Sequence, residues 1–182
     1  ITGGGMNPGN GSSMGKFQAA MHIRRNSRLN VTKTLAIGWP IGMILDNEKG
    51  NTQEAATNGL RKLHRIAFAG MDAVGTDFNK IYEDHLYDYK TKTLDVTKPS
   101  FSSTFFKLPA NGNTVLDWTA TAYNGIASVI AASTQVGSSL TASFDELSGN
   151  NWFDRVNFVG AFQSGNDWTA GWTNFDPENT VY

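Results

Sequence analysis

From Ser27 to Asn47 the chain reads S-R-L-N-V-T-K-T-L-A-I-G-W-P-I-G-M-I-L-D-N. Two apolar runs lie here, with Gly38-Trp39-Pro40 between them and Gly42 inside the second. Each run is too short for a stable helix, and Gly and Pro at this spacing interrupt any helical stripe. The stretch therefore predicts short buried strands joined by tight turns. Upstream, Ala19, Met21 and Ile23 alternate with Ala20, His22 and Arg24, the pattern of a half-buried strand. No Asn-Gly or Asp-Gly pair separates these strands, so two-residue hairpins are not expected. The corners read instead as the bends of a solenoid turn.

A weaker echo follows at an offset of 31. Leu29 matches Leu60, Leu35-Ala36-Ile37 matches Ile66-Ala67-Phe68, Met43 matches Val74, and Asp46 matches Asp77. The matched positions are mostly the apolar ones, as expected where equivalent residues stack in successive turns. On this alignment Glu48 to Asn58 is an insertion between turns.

The rest of the chain is less regular. Residues 1–16 are a Gly/Asn-rich lead-in without the Gly-Lys-Ser/Thr ending of a phosphate loop. Ile81, His85, Leu86 and Tyr89 allow one short amphipathic helix over Asn79 to Tyr89, and a loop follows through Thr91-Lys92-Thr93. Ser100 to Lys107 fits either a helical turn or a strand, and Leu108 to Asn113 is a turn region. Asp117 to Gln135 is rich in small residues, and Leu140 to Leu147 allows a brief helix. Val156, Phe158 and Phe162 alternate as a last strand, and the tail is aromatic. The expected division is 1–16 lead-in, 17–78 stacked strands, 79–151 loop and short-helix insertion, and 152–182 final strand and aromatic cap.

Composition narrows the function classes. Fifteen basic residues against sixteen acidic ones leave no electrostatic footprint for nucleic acid. The chain has no cysteine, which excludes disulfides, thiol catalysis and cysteine metal sites. Charged residues make up 17%, below the roughly 25% of an average domain, beside 19 glycines and 12% aromatics. That is a turn-rich β protein with a polar, weakly charged surface. No apolar run approaches the ~18–20 residues of a membrane span. The opening Ile-Thr-Gly-Gly-Gly shows no signal peptide, and it reads as the start of a processed chain or of a fragment.

Two motifs carry a resemblance. They are A-A-M-H-I-R-R-N-S-R-L-N-V-T-K-T-L-A-I-G-W-P-I-G-M-I-L-D, within residues 17–75, and F-D-R-V-N-F-V-G-A-F…D-W-T-A-G-W-T-N-F-D-P-E-N-T-V-Y, within residues 152–182. Together they resemble the secreted and surface-anchored β-helix proteins, mostly uncharacterised lipoproteins, of Bacteroidetes-type bacteria. The resemblance implies a mainly β fold: the C-terminal rungs of a right-handed parallel β-helix with short helices and a Trp-rich C-terminal cap. It also implies an extracytoplasmic location and an N-terminal remainder, or another chain, packed on the first rung. The family brings no reaction and no catalytic residues with it.

Three side-chain groups are candidates for chemistry. Arg24, Arg25 and Arg28 lie on the first rung, and a cationic groove for acidic glycans is their functional reading. A solvated face or a partner interface is the preferred one. Asp46 and Asp77 mark corners where oxygen ligands suit Ca²⁺, although ordinary turn chemistry explains them and no metal is expected. Trp118, Trp168 and Trp172 are placed to stack on sugar rings, with a hydrophobic cap as the preferred alternative. His22, His64 and His85 lack metal-binding spacing, and no G-x-S-x-G elbow is present. The function expected is a non-catalytic surface protein, structural or adhesive. The alternatives are a glycan- or nutrient-binding component of an outer-membrane uptake system, and a β-helix lyase or hydrolase.

Overall fold

The computed structural model describes residues 18–77, 84–116, 149–156, 158, 160–163, 165–174 and 179–180. The chain divides into two compact units, Ile1–Ala120 and Thr121–Tyr182. The lead-in over 1–16 and the stretch holding Trp118, Tyr123 and the brief helix over 140–147 lie outside the described residues.

The first unit opens with four short strands: β1 (Ala19–Ile23), β2 (Val31–Thr32), β3 (Leu35–Ile37) and β4 (Ile41–Leu45). Helix α1 (Thr52–Thr57) follows, then β5 (Leu63–His64), β6 (Ala67–Ala69) and β7 (Ala73–Gly75). Each strand of the second set pairs in parallel with its counterpart in the first. Val31 stands opposite Leu63, Ala36 opposite Phe68, and Ile41 opposite Ala73. The common offset is 32, not the 31 expected from apolar matching. A one-residue slip turns every side chain to the other face of a strand, so Leu45, not Asp46, falls level with Asp77. The same offset relates the turns. Lys33 and Arg65 both take left-handed backbone at φ 51° and 55°, and Gly38 and Gly70 do so at φ 70° and 63°.

The right-handed parallel β-helix implied by the resemblance is not what these strands build. Among the described residues they form four small separate sheets, and none of them closes. Three are parallel, in the orders β1-β4-β7, β10-β6-β3 and β2-β5, where β10 is Thr114–Leu116. The fourth is the antiparallel hairpin of β8 (His85–Asp88) and β9 (Thr93–Pro99). The β1-β4-β7 sheet ends at β7, and helix α2 (Phe101–Phe106) lies against that strand, while β10 continues the neighbouring sheet. Gly75 makes this approach possible. A Cβ there would sit 2.7 Å from the Ser103 nitrogen and 2.9 Å from the Ser102 carbonyl carbon.

The hairpin also replaces part of the helix expected over Asn79 to Tyr89. Residues 79–83 lie outside the described set, and His85–Asp88 is extended. Lys92 at φ 60° supplies the left-handed turn residue that a hairpin without glycine needs. The region Ser100 to Lys107 resolves as helix α2, capped by Ser100, whose Oγ accepts the Ser103 N–H at 2.9 Å.

The core holds Met21, Ile23, Ala36, Met43, Leu45, Leu63, Ile66, Phe68, Phe105 and Phe106. Strands β3 and β6 are buried at every position, as parallel strands covered on both faces are. Phe68 stacks on Phe106 with centroids 4.3 Å apart and planes 7° from parallel. Gly42 has no side chain because that ring occupies its space: a Cβ would lie 2.4 Å from Phe68.

In the second unit the expected strand over Arg155 to Phe162 does not appear at its described positions, where only a bridge between Gln163 and Asn166 forms. The Trp-rich cap is also corrected. Trp152, Trp168 and Trp172 are 83%, 53% and 67% exposed, so they do not seal an end.

Candidate functional site

Two places concentrate side chains with functional potential, one in each unit. The first lies past the ends of β1 and β4. Their parallel register brings His22 beside Ile44 and Ile23 beside Leu45, and the Asp46 N–H donates to the Ile23 carbonyl at 2.9 Å. The residues at and after these ends therefore converge. Arg24 Nε is 2.7 Å from Asp46 Oδ2, and its Nη2 donates to Glu48 Oε2 at 2.9 Å. His22 Nε2 lies 3.1 Å from the same Asp46 oxygen. Tyr87, Tyr89 and Lys92 close a hollow of 230 Å³ over these residues. The two rings meet edge to face at 4.9 Å, and Lys92 Nζ is 5.9 Å from the Tyr89 centroid.

Electrostatics here favour a fixed network. Burial alone would raise the Asp46 carboxyl. The hydrogen bonds from His22 and the Glu48 N–H, with the charges of Arg24 and His22, outweigh it and hold the carboxyl below its ordinary value. Burial, and then the negative charge of Asp46, push the Tyr89 phenol well above its ordinary range. Tyr89 also donates its hydroxyl to the Asp77 carbonyl. It is therefore a phenol at any physiological pH and cannot serve as a base there. The Arg24 charge is divided between two carboxylates. Arg25, at φ 53°, and Arg28 are exposed and form no ion pair among the described residues. The three arginines do not converge, and only Arg24 lines the hollow.

Asp77 is fully buried under the N-terminus of α2. Its carboxylate accepts the Phe101 N–H at 2.6 Å, the Ser102 N–H at 3.0 Å and the Ser102 hydroxyl at 2.6 Å. Burial nevertheless raises its carboxyl above the ordinary value. Asp46 and Asp77, the two oxygen ligands suited to Ca²⁺, are thus each occupied by protein donors. No group of three or more metal-ligating side chains occurs among the described residues.

The second place is in the second unit. Phe162, Trp168 and Trp172 form a ladder, with centroids 6.0 Å apart for the first pair and 5.6 Å for the second. Phe162 is buried and stacked on Trp168, and both indoles are more than half exposed. The Asp167 side chain accepts from the Thr169 N–H at 3.0 Å and starts the turn that carries them, and Gly171 continues it at φ 87°. Trp168 Nε1 donates to the Ala161 carbonyl at 2.8 Å, and Trp172 Nε1 donates to the Trp168 carbonyl at 2.7 Å. Main-chain acceptors therefore satisfy both indole N–H groups, so the remaining exposed ring surface is apolar. The D-W-T-A-G-W-T spacing signalled this pair. The gathering of His22, Tyr87 and Tyr89 around Arg24 had no local signal, because its members come from strands far apart in sequence.

No helix among the described residues is long and apolar enough to cross a membrane. No family model, curated protein or solved structure matches the chain.

Proposed function

We propose that this chain is a non-catalytic, extracytoplasmic binding protein of the cell surface, adhesive in role, which holds glycans against Trp168 and Trp172. One observation carries this reading: two indoles 5.6 Å apart, tilted by 35°, more than half exposed and anchored through their N–H groups. Exposed adjacent aromatic rings of this kind are costly in water and mark binding surfaces. The C–H face of a sugar ring is a natural complement, since it is flat and apolar while its rim is polar. Asn166, Asp167 and Asn174 are exposed nearby in sequence to meet such a rim.

Binding is favoured over catalysis because Arg24, the basic residue beside two carboxylates, is engaged by both. In the first unit, β1 and β2 each pair on one side only among the described residues, which gives a polypeptide partner strand edges to extend. The glycan reading is tested by screening the chain and its Trp168→Ala/Trp172→Ala variant on a glycan array. Hits that the variant loses support it, and hits that the variant keeps, or none, overturn it.

A further inference from the structure

Between α1, β5 and α2 lies a cavity of 390 Å³ that plays no part in the glycan reading. Its walls are Ala56 and Thr57 of α1, Phe101 and Phe105 of α2, and Leu108 just beyond. That volume falls within the roughly 300–1,000 Å³ of small-molecule pockets, and a mainly apolar lining is their usual character.

The polar part of the wall has one sign. Arg61 lines the cavity with Lys62 and His64, and no Asp or Glu is among the described residues that line it. Arg61 is only 2% exposed, which is unusual for an arginine and rarer still without a carboxylate partner among the described residues. Its Nη2 donates to the Ser27 carbonyl, while Nε and Nη1 have no hydrogen-bond partner and no contact with solvent. Burial lowers its affinity for the proton, and no neighbouring carboxylate restores it. A buried guanidinium in this state attracts any anion that displaces water from the adjoining cavity.

We propose that this cavity takes a small organic acid. Its alkyl or aryl body packs against Phe101, Phe105 and Leu108, and its carboxylate lies beside Lys62 and is drawn by the Arg61 charge set just behind the wall. The apolar lining explains why the ligand is more than a bare anion, and the one-signed charge explains why it is an acid.

Calorimetric titration of the purified chain with octanoate, and separately with octan-1-ol, tests this. Octanoate should bind saturably, at least about tenfold more tightly than the alcohol, a difference worth about 1.4 kcal/mol. Arg61→Met should bring octanoate down to the level of the alcohol, and Arg61→Lys should retain most of the preference. Thr104→Trp, at an exposed position on the cavity wall, should abolish binding of both by filling the space. Should Arg61→Met not fold, Arg61→Lys and Thr104→Trp decide. The proposal is overturned if octanoate does not saturate, if acid and alcohol bind alike, or if Thr104→Trp leaves octanoate binding intact. Trp168→Ala/Trp172→Ala should bind octanoate as the parent does, so loss of glycan binding and loss of acid binding are separate results.

Discussion

Ser102 donates its hydroxyl to Asp77 across 2.6 Å at a point where both side chains are sealed from solvent. The same oxygen accepts the Leu45 N–H at 2.8 Å. One serine thus joins the end of a strand, a buried carboxylate and the start of α2. It occupies the level at which the 32-residue register would set Leu45 opposite Asp77.

Ser102→Ala removes a donor from a buried carboxylate and strands the Leu45 N–H. A loss of about 2–4 kcal/mol is expected, combining a charged hydrogen bond with an unsatisfied main-chain group. Urea unfolding followed by far-ultraviolet circular dichroism measures it. A change below about 0.5 kcal/mol would show that this contact does not hold α2 in place.

Gly42→Ala places a methyl group 2.4 Å from the Phe68 ring and 2.7 Å from the Val74 carbonyl. Overpacking of this kind costs about 1–3 kcal/mol. Phe68→Leu in the same chain should recover part of the loss, because the ring is what the methyl meets. A double variant no more stable than the sum of the two single losses would place the strain elsewhere.

Asp46 sets part of the acid limb of stability. Its folded carboxyl lies below the ordinary value, so its contribution is complete above about pH 4 and disappears as pH falls through the folded value. Asp77 acts in the opposite sense. Its raised carboxyl is neutral in the folded state where the unfolded one has already ionised, so its share of stability declines as pH rises through that window. Asp46→Asn should cost about 1–3 kcal/mol at pH 7, discounted for the partly exposed Arg24, and should lose less than the parent between pH 4 and pH 2. Urea midpoints across that range decide, and parallel curves for parent and variant would count against the Arg24–Asp46 pair.

Trp172→Ala separates binding from folding. The ring is 67% exposed, so stability should move by no more than about 0.5 kcal/mol. Affinity for any glycan identified on the array should fall about tenfold or more. A large loss of stability instead would mean that the indole packs as part of the fold.

The strands of the first unit were legible because alternation and breakers bound them closely. Their register was not, since Ile66-Ala67-Phe68 is apolar throughout and accepts offsets of 31 and 32 equally. Gly38 and Gly70 carried the correct spacing, as left-handed turns that must recur in step. The β8–β9 hairpin escaped because Lys92, not a glycine, takes its left-handed position. Arg24 stood out in the sequence as one of three clustered arginines, but its partners Asp46 and Glu48, like Tyr89, reach it only through folding. Arg61, in the ordinary-looking run G-L-R-K-L, gave no sign that it would be buried. The aromatic tail promised a sealed cap by composition, and the exposure of Trp152, Trp168 and Trp172 is a tertiary outcome that composition does not encode.

The pairing distances set an order of assembly. Hairpin β8–β9 joins Asp88 to Thr93, only five residues on. The parallel pairs must close intervals of 22 residues from Ala19 to Ile41, 32 from Leu35 to Ala67, and 47 from Ala67 to Thr114. Loop-closure entropy grows with the logarithm of the interval, and contacts distant in sequence slow folding. A chain emerging from the ribosome therefore exposes β3 as an unpaired apolar segment until about thirty more residues have followed it. During that interval the nascent protein is most open to capture by chaperones or by its own neighbours.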